Sequence, residues 1–112
     1  MKGPQLNRAL VLEGVARLPD GAGGFAEDWV ALGTLWAEVK PGAGRDAAGE
    51  EVVMGVVGYR ITLRGAPQGS PQRPVPGQRF RDGARVFAIL AVTEADPAGR
   101  HLTCFAREEV PS

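Results

Sequence analysis

The chain has 112 residues, with 13 Lys+Arg balanced by 13 Asp+Glu. At this length a single domain over 1–112 is expected, since one core is feasible and a second is not. Zero formal charge argues against gripping bare nucleic acid by bulk charge, no long apolar run is present to cross a bilayer, and the lone Cys104 excludes an intrachain disulfide or a multi-cysteine metal site.

Met1 to Leu12 lacks a basic segment followed by an apolar one, so no signal peptide is read there and synthesis in the cytoplasm is expected. Residues 1–7 and 108–112 are expected to be loose ends. Ala9 to Leu18 is β-rich and is followed by Pro19-Asp20-Gly21-Ala22-Gly23-Gly24, a turn by composition. Trp29 to Val39 is a second apolar stretch, ended by Pro41-Gly42. Asp46 to Val57 could open as a short helical turn with Asp46 as N-cap, although Gly49, Gly55 and the valine pairs weaken that reading.

Glu51 to Arg64 is the strongest strand signal: Tyr59, Ile61 and Leu63 alternate with Arg60, Thr62 and Arg64. The Pro/Gly-rich stretch 65–78 cannot lie within a sheet, because proline lacks the ladder donor, and is expected to be an exposed loop. Asp82-Gly83 fits a two-residue hairpin turn between Arg79-Phe80-Arg81 and the apolar run Val86 to Val92. After a turn at Asp96-Pro97-Ala98-Gly99, His101 to Ala106 makes the last strand. The expected class is therefore all-β: a small antiparallel barrel or sandwich of about six short strands with long loops.

Candidate chemistry is thin. His101 and Cys104 lie at odd spacing, which in a strand puts them on opposite faces, and no second histidine exists to complete a zinc site. Gly21-Ala22-Gly23-Gly24 lacks the Gly-Lys-Ser/Thr ending of a phosphate loop. The carboxylate pairs Glu27-Asp28, Glu50-Glu51 and Glu108-Glu109 read as solvated faces. No enzyme, metal or cofactor is expected. Cys104 is expected to be a buried packing residue. Trp29 and Trp36 would face opposite sides of a regular strand unless a bulge near Gly33 shifts the register; core packing of at least one is the default.

Charge placement says more than its total. Residues 1–58 carry five cations and eight acids, and residues 59–112 carry eight cations and five acids. Arg60, Arg64, Arg73, Arg79, Arg81 and Arg85 share their span with a single acid, Asp82. Exposed, such a block could touch phosphates or an acidic partner; otherwise it is a solvated face.

The order of short motifs goes further. Asp28-Trp29-Val30, Leu35-Trp36-Ala37-Glu38-Val39, Tyr59-Arg60-Ile61-Thr62-Leu63-Arg64, Gly77-Gln78-Arg79, Gly83-Ala84-Arg85-Val86-Phe87-Ala88-Ile89 with Val92, Arg100-His101-Leu102 and Glu108-Glu109 follow one another. Together they resemble the head–tail joining, or head-closure (stopper), family of tailed phages, in the form found in prophages and gene transfer agents. The stretch from Gly65 to Pro76 departs from that family in length and proline content.

The resemblance implies a β-barrel connector subunit in the neck of a phage-like virion, with Trp29, Trp36, Ile61, Phe87 and Ile89 as signature core. It implies a ring of copies, expected to be six-fold, with the portal and its adaptor above, a tail terminator or tail tube below, and packaged double-stranded DNA in the channel. The six arginines become candidates for channel or inter-ring contacts. No membrane is involved. The rival readings are a tail-terminator or other ring of the same particle, and a small OB- or SH3-like nucleic-acid-binding barrel. The latter would need exposed aromatics, for which Tyr59, Phe80 and Phe87 are the candidates.

Overall fold

The computed structural model describes residues 3–42 and 57–109. The helical turn expected within Asp46 to Val57, and the first half of the strand expected from Glu51, lie outside them.

The described residues form six strands: β1 (Arg8–Pro19), β2 (Phe25–Pro41), β3 (Val57–Arg64), β4 (Arg79–Asp82), β5 (Arg85–Glu94) and β6 (His101–Glu109). All pairs are antiparallel, and the order β1-β2-β3-β6-β5-β4 closes on itself as a barrel. β6 runs through Glu109, past the expected loose end at 108.

Alternation dictates the core. Leu10 and Leu12, Ala37, Ile61 and Leu63, Phe80, Phe87 and Ile89, and Leu102, Cys104 and Ala106 all point inward and are buried. Leu35, Val39, Tyr59 and Val92 pack around them. His101 faces out against Arg64, while Cys104 faces in against Ile61, as odd spacing requires.

Two turns differ from expectation. In the β4–β5 hairpin Asp82 pairs with Arg85, so the loop residues are Gly83 and Ala84 rather than Asp82 and Gly83. Gly83 has φ of 62°, and a glycine first in a two-residue loop is what a type II′ turn needs. The stretch 65–78 is not simply exposed. β3 and β4 stand on opposite sides of the barrel, so their connection must cross its open end. Pro74 is buried there, and Gly77 N–H and Gln78 C=O hydrogen-bond to Ile89 C=O and N–H. The crossing starts at Gly65, whose N–H donates to Arg100 C=O at 2.8 Å. A Cβ on Gly65 would lie 2.1 Å from the Gly99 oxygen, so only glycine fits that approach.

The two hairpin strands β1 and β2 outrun the barrel. β4 pairs only with Val11 to Glu13 of β1, and β3 only with Ala37 to Pro41 of β2. From Gly14 to Pro19 and from Phe25 to Val30 the strands pair, among the described residues, only with each other. They form a ribbon roughly 20 Å long, ending at Asp20, whose carboxylate accepts from Ala22 and Gly24 N–H.

Candidate assembly surfaces

Where β4 meets β1, the register Leu12↔Phe80 sends those two inward and sets Glu13 beside Arg79 on the outer wall. Arg79 Nε donates to Glu13 Oε1 at 2.6 Å, and Arg81 Nε donates to Oε2 at 3.1 Å. The Arg79 guanidinium also lies 4.1 Å from the Trp29 ring centroid. Side-chain exposure is 15% for Arg79 and 12% for Glu13, so this pair is part of the wall. Partial burial pushes the Glu13 carboxyl up, but hydrogen bonds and charge from Arg79 and Arg81 outweigh it and hold the group below the usual carboxylate range.

A second cluster closes the opposite end of the barrel. Arg85 donates to both Glu108 oxygens, at 2.8 and 3.0 Å, and to the Tyr59 hydroxyl at 3.1 Å. It covers the Phe87 ring, which meets Tyr59 edge-to-face at 5.1 Å. The Arg85 hydrogen bond, opposed by some burial, holds Glu108 low. Arg8 and Asp82 pair nearby.

The six arginines of the basic block therefore divide. Arg79, Arg81 and Arg85 are held by acids of their own chain. Arg73 lies on the crossing segment, where it donates to Ala66 C=O at 2.9 Å. Arg60 and Arg64 point outward from β3, exposed and with no carboxylate partner among the described residues. Glu13 was legible only as one charge in an apolar strand, since its partners sit 66 and 68 residues away.

The tryptophans are a correction. Trp29 is 37% and Trp36 59% exposed, and neither enters the core that holds Ile61, Phe87 and Ile89. Leu12 pairs with Gly33 and Glu13 with Ala31, leaving Leu32 as an extra residue. This bulge flips the alternation and puts both tryptophans on the outer face. The aromatics suited to a nucleic-acid platform are also placed otherwise: Phe80 and Phe87 are fully buried and Tyr59 packs against them. The exposed rings are Phe25, Trp29, Trp36 and Phe105. Trp36 lines a crevice of about 280 Å³ with Leu63, Arg64 and Gly65, beside the edge of β2 that β3 leaves bare.

Among the described residues no cluster of His, Cys, Asp or Glu could hold a metal, and no helix is long and apolar enough to cross a membrane. Cys104 is buried, and burial pushes its thiol up to about 12, so it stays protonated at neutral pH.

The family described as phage head completion protein matches residues 1–109. A chain from the virion of a native gene transfer agent particle is 55% identical, with a TM-score of 0.79 over 98% of this chain and all of that one. The solution structure of protein SF1141 from Shigella flexneri 2a superposes with a TM-score of 0.75 over the full length of both, at 22% identity, a likeness of fold. No curated protein sequence matches the chain.

Proposed function

The chain belongs to the phage head completion protein family, and from that premise we propose that it is the stopper subunit of a gene-transfer-agent-like particle. In this reading copies assemble into a six-fold ring beneath the portal and its adaptor. The ring closes the DNA-filled head and presents a docking surface to the tail terminator or tail tube. The observation that carries the proposal is full-length similarity, at 55% identity, to a chain of a gene transfer agent virion.

The barrel supports the role by having two differently furnished ends. One end carries the C-termini of β2 and β6 and the Arg85–Glu108 cluster; the other carries the ribbon and the Pro-rich crossing. A subunit stacked between two different rings needs two unlike faces, and a head-to-tail ring needs two unlike sides. Contacts with channel DNA or with a neighbouring ring narrow to Arg60 and Arg64, because Arg79, Arg81 and Arg85 already serve the fold and Arg73 is tied to Ala66 C=O of the crossing segment.

Electron microscopy of particles from a deletion strain tests the reading. The expected result is filled or leaking heads without tails, and free tails, with joining restored by the gene in trans. Normal tailed particles without this chain would refute it.

A further inference from the structure

The ribbon carries apolar surface that its own barrel leaves uncovered, apart from the face of Trp29 under the Arg79 guanidinium. Val15, Leu18, Phe25 and Trp29 are all more than a third exposed, and Phe25 reaches 62%. Its cation, Arg17, is engaged over the Phe25 ring at 4.8 Å. Its acids Glu27 and Asp28 have no cation partner among the described residues. The ribbon is therefore an acidic arm studded with aromatic and aliphatic groups.

The opposite side of the barrel has the reciprocal character. In the closed order β1-β2-β3-β6-β5-β4, β6 stands across from β1. The outer face of β3, β6 and β5 presents Arg60, Arg64 and Arg107, all exposed, around Phe105 and Leu90. Leu90 is exposed at 55% because a bulge between Ile89 and Ala91 makes it an extra residue, and Phe105 is exposed at 41%. Lys40 adds charge beside Arg60. Among the described residues, the acids at the margins are Glu38, which accepts from Gln5 N–H and lies 3.8 Å from Lys40 Nζ, Glu94 at the end of β5, and Glu109 at the end of β6.

We propose that the ribbon of one copy seats on the β3–β6–β5 face of the next, with Glu27 against Arg60 and Arg64, and Phe25 and Trp29, which share the face of β2 that bears Glu27, against Phe105 and Leu90. The two surfaces match in sign and in apolar content, and both leave large apolar groups in water. Lying across the barrel from each other, they are positioned to meet in different copies. A contact between two different patches repeats head to tail and closes when the rotation per copy permits, so each subunit gives one side and takes the other. This contact rests on the ring proposed above and assigns its subunit interface. It also gives Arg60 and Arg64 a protein partner in place of DNA.

Charge reversal in whole particles tests it. Glu27→Arg alters the arm, and Arg60→Glu with Arg64→Glu alters the face; all three positions are exposed, so the free chains should melt near the wild-type temperature. Each reversal alone should remove the chain from purified particles and leave heads and tails unjoined, and combining the two should restore joining. As a second measurement independent of those substitutions, chains carrying Glu27→Cys and Arg60→Cys, coexpressed, should form a mixed disulfide in assembled particles, since Cys104 is buried. Normal incorporation of either reversed variant, no rescue by the combination, or rings that form but leak DNA after the Arg60/Arg64 reversal would overturn the interface while leaving the ring. Wild-type particles whose necks contain no ring of this chain would instead remove the reading on which it rests.

Discussion

The barrel and the ribbon are made partly from the same two strands, yet they handle apolar side chains in opposite ways. Along β1, Leu10 and Leu12 are sealed inside, while Val15 and Leu18, a few residues on, stand in solvent. The difference is one of neighbours. Leu12 has β2 on one side and β4 on the other, with Phe80 packed beside it, whereas Val15 has only Trp29 across the hairpin. An isolated two-stranded hairpin is marginal in water, so the ribbon is held by its root in the barrel. Exposed apolar groups that do not serve folding are available for assembly. Stability and assembly should therefore be separable by mutation.

The largest effect should come from the barrel. Phe87 is fully buried and meets Tyr59 and the Arg85 guanidinium. Phe87→Ala should cost about 3–5 kcal/mol, a large part of the stability of a small domain. Urea denaturation of the purified chain checks this, and a loss below about 1 kcal/mol would mean that the core is not where the comparison puts it. Next comes the wall. Glu13→Gln removes the charge that Arg79 and Arg81 share and should cost about 1–3 kcal/mol. Arg79→Glu, which sequence alone would class as a harmless surface change, should be destabilising too, because it sets a second carboxylate against Glu13.

Cys104→Ser should cost about 1–2 kcal/mol, since it buries a hydroxyl among Ile61, Val92 and Leu102. The same thiol gives an alkaline limb. Its folded pKa is raised to about 12 from an ordinary 9.0, so its contribution is complete below that ordinary value and lost as pH rises towards 12. The acid limb has the opposite sign. Glu13 and Glu108 are held below the usual carboxylate range, so their contribution is present above it and disappears as pH falls through their folded values. Melting temperature against pH should fall at both ends, and Glu13→Gln should flatten the acid limb while leaving the alkaline one. An unchanged acid limb in Glu13→Gln would show that the wall pair contributes nothing through its charge.

Tyr59 to Arg64 was readable because period-2 alternation is local, and the inward set Ile61, Leu63, Phe87 and Ile89 follows directly from it. The positions of the tryptophans were not, because a single bulge residue, Leu32, reverses every side chain on one side of it. Gly33 was the only local sign of that bulge. The fate of Pro74 and of Arg79, Arg81 and Arg85 depended on barrel closure, which sets residues tens of positions apart against each other. Arg79 reads as a surface cation until β4 is laid beside β1.

The smallest stability effect is expected at the ribbon, and it bears most directly on the separation of stability from assembly. Phe25 is 62% exposed, and its described partner is the Arg17 guanidinium at 4.8 Å. An exposed cation–π contact contributes about 0.5–1 kcal/mol, and little burial is lost with the ring. Phe25→Ser should therefore shift stability by less than about 1 kcal/mol, against the several expected for Phe87→Ala. Trp29 makes a poorer probe, because the Arg79 guanidinium stacked on it ties the ring to the wall. If Phe25 serves assembly, Phe25→Ser should fold normally and be depleted from particles, while Phe25→Leu, which keeps apolar area, should retain part of the wild-type incorporation. Quantifying the chain in purified particles beside its melting curve decides the matter. A Phe25→Ser chain that loses stability as a barrel mutant does would make the ribbon a folding element. One that is stable and fully incorporated would leave the exposed ring without a role in joining.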